Sequence, residues 1–268
     1  MLLNVKHTTC YDYSQPFSYA IQRIRLMPYS APNQKVRTWE VLVNDEKKLF
    51  SYRDGYGNYN HFIAVNTAQD TITITAKGEV ETFDTSGILK DFHEMISPYF
   101  FLRKTPFTEP GKQLNSFIDT FRSISSENTL SLLHKIMQSI YETVEYIPGF
   151  TTVNTNAEEA FLYKKGVCQD YSHIFLTICR TLSIPARYIS GYLFMDGHRE
   201  QTASHAWIEA YVNGLGWVGF DATNCICPDE KYIRVACGLD YFDTSPIRGI
   251  HLGNGKEHLD VTIQITAK

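Results

Sequence analysis

The most constraining stretch of this chain is a strict alternation on either side of a four-residue turn. Asn213-Gly-Leu-Gly216 has hairpin-turn composition, and residues 204–212 and 217–222 flank it with a period of two. Ala206, Ile208, Ala210 and Val212, then Val218, Phe220 and Ala222, form an apolar face. His205, Trp207, Glu209 and Tyr211, then Trp217, Gly219 and Asp221, form the other. A slip of one residue would turn every apolar side chain outward, so the register is specified. That register puts His205 and Asp221 on one face, opposite or one diagonal step apart, with Cβ atoms about 4.5–8 Å from each other. A carboxylate at that reach can hold one imidazole nitrogen and leave the other for a further partner. The alternative is an ion pair on a solvated sheet face, which leaves Trp207 and Trp217 beside it unexplained. Two indoles there would exclude water and make the pair part of a site wall.

The rest of the chain supplies the setting. The first hundred residues read as short strands: 36–43 and 70–80 alternate, and Asp54-Gly-Tyr-Gly-Asn58 has turn chemistry. This predicts an antiparallel β-sandwich or barrel. Proline and glycine between 97 and 112 break regular structure repeatedly and predict a linker. Helical spacing follows over 129–144, through Leu130, Leu133, Ile136, Met137, Ile140, Tyr141 and Val144. A second helix is expected to open at Asn156, where Glu159 completes a capping box. Strands return at 187–195, 203–222 and 258–267. Helices first and antiparallel strands after give the class α+β, divided into domains at 1–104 and 105–268.

Composition removes several functions. The 268 residues are 43% hydrophobic and 20% charged, with a net charge of −4 and no basic tract, so binding to nucleic acid through phosphates is not expected. The opening MLLNVKHTTCYDYS lacks the apolar core of a signal peptide, and no run of about 18 apolar residues exists. A cytoplasmic protein without membrane contact is the expectation. Six scattered cysteines are too few for a disulfide scaffold, which leaves the thiols for chemistry.

One of those thiols is well placed. Gly166-Val-Cys168-Gln-Asp-Tyr opens a helix whose apolar stripe runs through Tyr171, Ile174, Phe175, Ile178, Cys179 and Leu182. Cys168 falls in the first turn, where unpaired N–H groups and the positive dipole end stabilise thiolate. Most free cysteines are small buried hydrophobes, and Cys179 reads as one. Cys168 reads the same way until His205 and Asp221 are set beside it. Together the three supply a nucleophile, a base and an orienter on two separate elements.

This pattern resembles the transglutaminase-like branch of the papain-type cysteine enzymes, and in particular its bacterial members with a β-rich N-terminal domain. Gly166-Val-Cys-Gln-Asp170, Ile184-Pro-Ala-Arg-Tyr-Ile-Ser-Gly-Tyr192, Ser204-His-Ala-Trp207 and Gly216-Trp-Val-Gly-Phe-Asp221 are the most specific pieces. His7-Thr-Thr-Cys-Tyr-Asp-Tyr13 and Arg25-Leu-Met-Pro28 resemble the family's opening strands. The resemblance implies a β-sandwich followed by a papain-like, transglutaminase-like catalytic domain, with catalytic Cys168, His205 and Asp221. The sequence departs at Ala222, where the family usually has proline after the aspartate.

The chemistry expected is acyl transfer through a thioester on Cys168, with a peptide, protein or amide as substrate partner. Gln169 and Trp207 are candidate substrate or oxyanion residues. No cofactor and no metal is needed, since three side chains handle the protons and the acyl group. A cysteine hydrolase leads, a transamidase with an amine acceptor uses the same thioester, and a non-enzymatic binding module is the reading from another class. Asp170 reads as a helix-dipole stabiliser. His7, His173, His251 and His258 lack partner spacing and read as ordinary polar residues. Cys225-Ile-Cys227 could bind metal or form a redox pair, though no second pair stands at zinc-ribbon spacing. The N-terminal domain has no catalytic set of its own and is expected to pack on the other and shape substrate access.

Overall fold

A computed structural model describes residues 1–46, 49–66, 68–90, 96–122, 128–198 and 200–268. Strands come first: β1 (Leu2–Phe17), β2 (Tyr19–Ile24), β3 (Gln34–Val43), β4 (Phe50–Arg53), β5 (Tyr59–Val65), β6 (Gln69–Thr82) and β7 (Ile88–Leu89). After a 3-10 turn (Pro98–Leu102) come α1 (Lys112–Arg122), α2 (Thr129–Thr143), β8 (Glu145–Tyr146), α3 (Ala157–Tyr163), β9 (Lys165–Gly166) and α4 (Cys168–Thr181). The chain ends with β10 (Ala186–Leu193), β11 (Glu200–Gln201), β12 (His205–Val212), β13 (Gly216–Phe220), β14 (Tyr232–Gly238), α5 (Tyr241–Thr244), β15 (Ile247–Leu252) and β16 (Glu257–Ala267).

Two antiparallel sheets form the expected sandwich, in the orders β11-β16-β1-β6-β3 and β15-β2-β5-β4. Their inner faces meet through Phe17, Ile24, Val41, Ile63, Ile72 and Ile74. A third antiparallel sheet, β14-β10-β12-β13-β7, carries the hairpin. Its register pairs Ile208 with Phe220 and Ala210 with Val218. All seven residues of the predicted apolar face lie in one core with α1 to α4. At about 1.5–3 kcal/mol for each large apolar side chain removed from water, this packing holds α4 against the sheet.

The division into 1–104 and 105–268 does not follow the strand pairing. β15 pairs with β2 and β16 with β1, so the last strands complete the sandwich, while β7 adds to the third sheet. The predicted linker is also not an exposed tether. Phe101 and Thr108 are buried, and Arg180 of α4 donates to Phe101 O and Thr108 Oγ1. Proline there shapes a packed 3-10 turn, and α1 begins where the linker was expected to end.

The sandwich lies against the far face of the third sheet. Leu3 and Val5 of β1 and Ile263 and Ile265 of β16 bury Tyr192, Ile233 and Val235. Tyr56, from the turn 54–58, packs beside Trp217 and Trp207. The hairpin face expected to be a water-excluding site wall is therefore interior for most of its length, with Trp207, Glu209 and Trp217 all buried. Strand β14 lies at the sheet edge, where unpaired backbone groups need partners. Two side-chain amides of the sandwich supply them. Gln34 donates to Arg234 O and accepts from Arg234 N, and Asn58 does the same at Cys237.

Candidate active site

Helix α4 starts at Cys168 because Asp170 makes it start there. Its buried carboxylate accepts from Val167 N at 2.8 Å, the acidic half of a capping box, and from Thr151 Oγ1 at 2.6 Å. Burial pushes the Asp170 carboxyl up, against the pull of those hydrogen bonds. Gly166 leaves room for this carboxylate, since a Cβ there would stand 2.6 Å from Asp170 Oδ2. Cys168 occupies the first helical position and is partly exposed. The motif around it thus has a mechanical reason: glycine and aspartate fix the turn that presents the sulfur.

Strand β12 begins with His205, and Asp221 follows β13. Extending the register sets them one diagonal step apart. His205 Nε2 lies 2.6 Å from Asp221 Oδ2 and donates to it, leaving Nδ1 as the ring nitrogen available to the sulfur. The Cys168 thiol faces His205 closely enough to act on the imidazole's titration. Burial alone would lower the His205 pKa. The Asp221 charge and hydrogen bond, with the neighbouring Cys168, outweigh it and raise the value from 6.5 to about 10. Asp221 is fully buried, which pushes its carboxyl up, but His205 and the donors Asn224 and Tyr232 hold it below the usual carboxylate range. The arrangement can therefore keep the imidazole protonated at neutral pH.

These groups open onto a cleft of about 950 Å³ that Cys168 and His205 both line. Val144, Tyr146 and Tyr171 line it, as do Leu193, Met195 and residues 200–204. Gln169 and Trp207 lie elsewhere. Gln169 is buried and its Nε2 donates to Val153 O at 3.2 Å, away from the cleft lining. Trp207 is buried behind the imidazole, its ring stacked 6.2 Å from that of His205. Trp217 packs on Phe101 and under the Arg187 guanidinium, so it is no part of the site.

The other polar residues have local structural roles. His173 is fully buried, accepts from Tyr241 N, and has its pKa lowered to about 3 by burial and the nearby Arg180 charge. His7 is lowered to about 4 by burial between Tyr192 and Thr9. Cys179 is core. Cys225 and Cys227 pack against the edge of the same core, and their thiols are pushed up by burial and by nearby negative groups. Among the described residues no cluster of three or more His, Cys, Asp or Glu could hold a metal ion, and no helix is long and apolar enough to cross a membrane. Sequence reasoning missed Tyr232 and Asn224, which both donate to Asp221 Oδ2 at 2.7 Å. Only the nearness of Asn224 to Asp221 in sequence offered a signal.

Comparison with known proteins agrees with this architecture. Residues 119–222 match the family model described as the transglutaminase-like superfamily, and residues 3–81 match the bacterial transglutaminase-like N-terminal region. An uncharacterized protein of Mycobacterium leprae is 28% identical, covering 98% of each chain. One from Mycobacterium tuberculosis is also 28% identical, over 97% of this chain and 91% of its own. A crystal structure from Cytophaga hutchinsonii, provisionally named a cysteine protease, shares the fold with a TM-score of 0.76 at 23% identity, over 100% of this chain and 91% of that one. With a helical core and a β-rich opening region each matching its own model, the chain belongs to the transglutaminase-like superfamily, in the bacterial branch that carries an N-terminal β-domain.

Proposed function

We propose that the chain is a cysteine-type enzyme that hydrolyses a peptide or amide bond through a thioester. Cys168 is the nucleophile, His205 the general acid and then base, and Asp221 the orienter. The observation that carries this reading is an imidazole held by a buried carboxylate on one nitrogen, with a helix-tip thiol beside it, both lining an open cleft. Superfamily membership supports cysteine chemistry in general terms.

The steps balance without a further reagent. The Cys168 thiolate attacks the carbonyl carbon, and the new C–S bond leaves an oxyanion that N–H groups at the start of α4 can hold. Collapse breaks the C–N bond as the His205 imidazolium gives its Nδ1 proton to the departing amine. The neutral imidazole then takes a proton from water, whose oxygen attacks the thioester. The acid leaves, and the thiolate–imidazolium pair is restored.

Intact-mass analysis during incubation with glutamine-bearing peptides and a labelled amine tests the reading. The expected result is an acyl adduct on Cys168, absent in Cys168→Ala, followed by release of the acid. Stable incorporation of the amine would assign transamidation instead. No adduct with any peptide, together with thiol-probe labelling of Cys168 that His205→Ala leaves unchanged, would sink the enzymatic reading and restore a binding module.

A further inference from the structure

The Asp221 carboxylate is supported more heavily than an orienter needs for its own charge. Its Oδ1 accepts from Thr223 N at 2.9 Å and from Asn224 N at 3.4 Å. Its Oδ2, the oxygen that holds the imidazole, accepts from His205 Nε2, Asn224 Nδ2 and Tyr232 Oη, all at 2.6–2.7 Å. One oxygen thus divides its negative charge among three donors.

Tyr232 is the donor that comes from outside the hairpin and its loop. It begins β14, its ring is buried edge-on against Trp207 with centroids 5.3 Å apart, and its centroid lies 5.9 Å from that of His205. The strand it begins is fixed on its free edge by Gln34 and Asn58 of the sandwich. The hydroxyl therefore has little freedom to follow the carboxylate. It holds Asp221 rather than the reverse.

We propose that Tyr232 is a positioning residue of this site, which through Asp221 Oδ2 restrains the carboxylate and sets the pH at which His205 releases its proton. The inference rests on the reading of Cys168, His205 and Asp221 as the reacting set. Burial and the Asp221 charge keep the phenol protonated far above neutrality, so it donates throughout the working range. The other charged or titratable groups facing the set are Tyr146 from β8, Tyr188 from β10, Tyr241 from α5, and Cys225 and Asp229 from the segment between β13 and β14. None of these donates to Oδ2 among the described residues. Removing the Tyr232 hydroxyl leaves more of the charge on Oδ2 for the imidazolium, which binds its proton more tightly.

The test needs no substrate. Alkylation of the full chain by iodoacetamide is followed on the Cys168 peptide by mass spectrometry from about pH 4 to about pH 11, where an ion-paired thiolate gives a low-pH plateau and imidazolium deprotonation a second step. In Tyr232→Phe, which keeps the ring, the second step moves up by roughly half to one pH unit. Asn224→Ala, on an exposed loop residue, removes a second donor from the same oxygen and moves the step the same way. Tyr56→Phe removes a similar phenol hydrogen bond, to Asp243 Oδ2, away from the site and leaves the step in place. The proposal is overturned if Tyr232→Phe and Asn224→Ala behave as Tyr56→Phe does, or if their steps move down. A wild-type profile with one ordinary thiol step, unaltered in His205→Gln, overturns the parent reading and this one with it.

Discussion

Glu209→Gln is expected to be among the most destabilising single changes in the third sheet. Glu209 is buried between two buried arginines. Its Oε2 lies 2.6 Å from Arg187 Nε and Nη2, and its Oε1 lies 2.9 Å from Arg234 Nε. Breaking a buried ion pair by removing one partner costs about 3–5 kcal/mol, because the remaining charge keeps its desolvation penalty. Two guanidiniums share this carboxylate, which places Glu209→Gln in the upper part of that range, about 4–5 kcal/mol. At roughly 2–4 °C per kcal/mol for a chain of this size, Tm falls by about 8–20 °C. Urea and thermal denaturation measure it, and the midpoint should move with m unchanged. Replacing all three residues by leucine or methionine should recover most of the loss, since apolar packing removes the charges together with their penalty. A Glu209→Gln protein melting within about 2 °C of wild type would refute the argument, because it would mean water or rearrangement satisfies both cations.

Other expectations follow from the same geometry. His205 has a folded pKa raised from 6.5 to about 10, so its contribution to stability is complete below pH 6.5 and is lost as pH rises through about 10. Denaturation midpoints should decline across that window in wild type and much less in His205→Gln. Gly166→Ala drives a Cβ into the Asp170 carboxylate, so it should slow Cys168 alkylation by about tenfold and lower Tm, as displaced positioning groups commonly do. Asn58→Ala deletes paired hydrogen bonds to Cys237 N and O and should cost about 2 kcal/mol in urea denaturation.

The hairpin and its polar pair were legible because a period of two and a turn fix a local register. The capping box at Asn156 and Glu159 was legible for the same reason, since both partners lie within one turn. What local pattern could not show was which surfaces meet. β16 reads clearly as a strand, yet its partner β1 lies more than two hundred residues earlier in the chain. The alternation of β12 marks one apolar face and suggests that the other is wet. The sandwich covers that second face, so Glu209 is a buried ion and Trp217 a stacking partner for Arg187. Gln169 stands beside the thiol in sequence, but the helix turns its side chain toward Val153. Tyr232 carried no signal, because a lone tyrosine opening a strand gains its role only from a carboxylate that folding brings to it.

Strand β11 is two residues long, yet it ties the cleft to the far end of the chain. Glu200 and Gln201, which line the cleft, pair with Gln264 and Ile263 of β16. Ile263 turns its side chain into the core between the sandwich and the third sheet. So brief an edge pairing is a latch that thermal fraying can release without melting either sheet. One lip of the cleft is thereby tied, through two backbone pairings, to the packing of Ile263 between the sandwich and the third sheet.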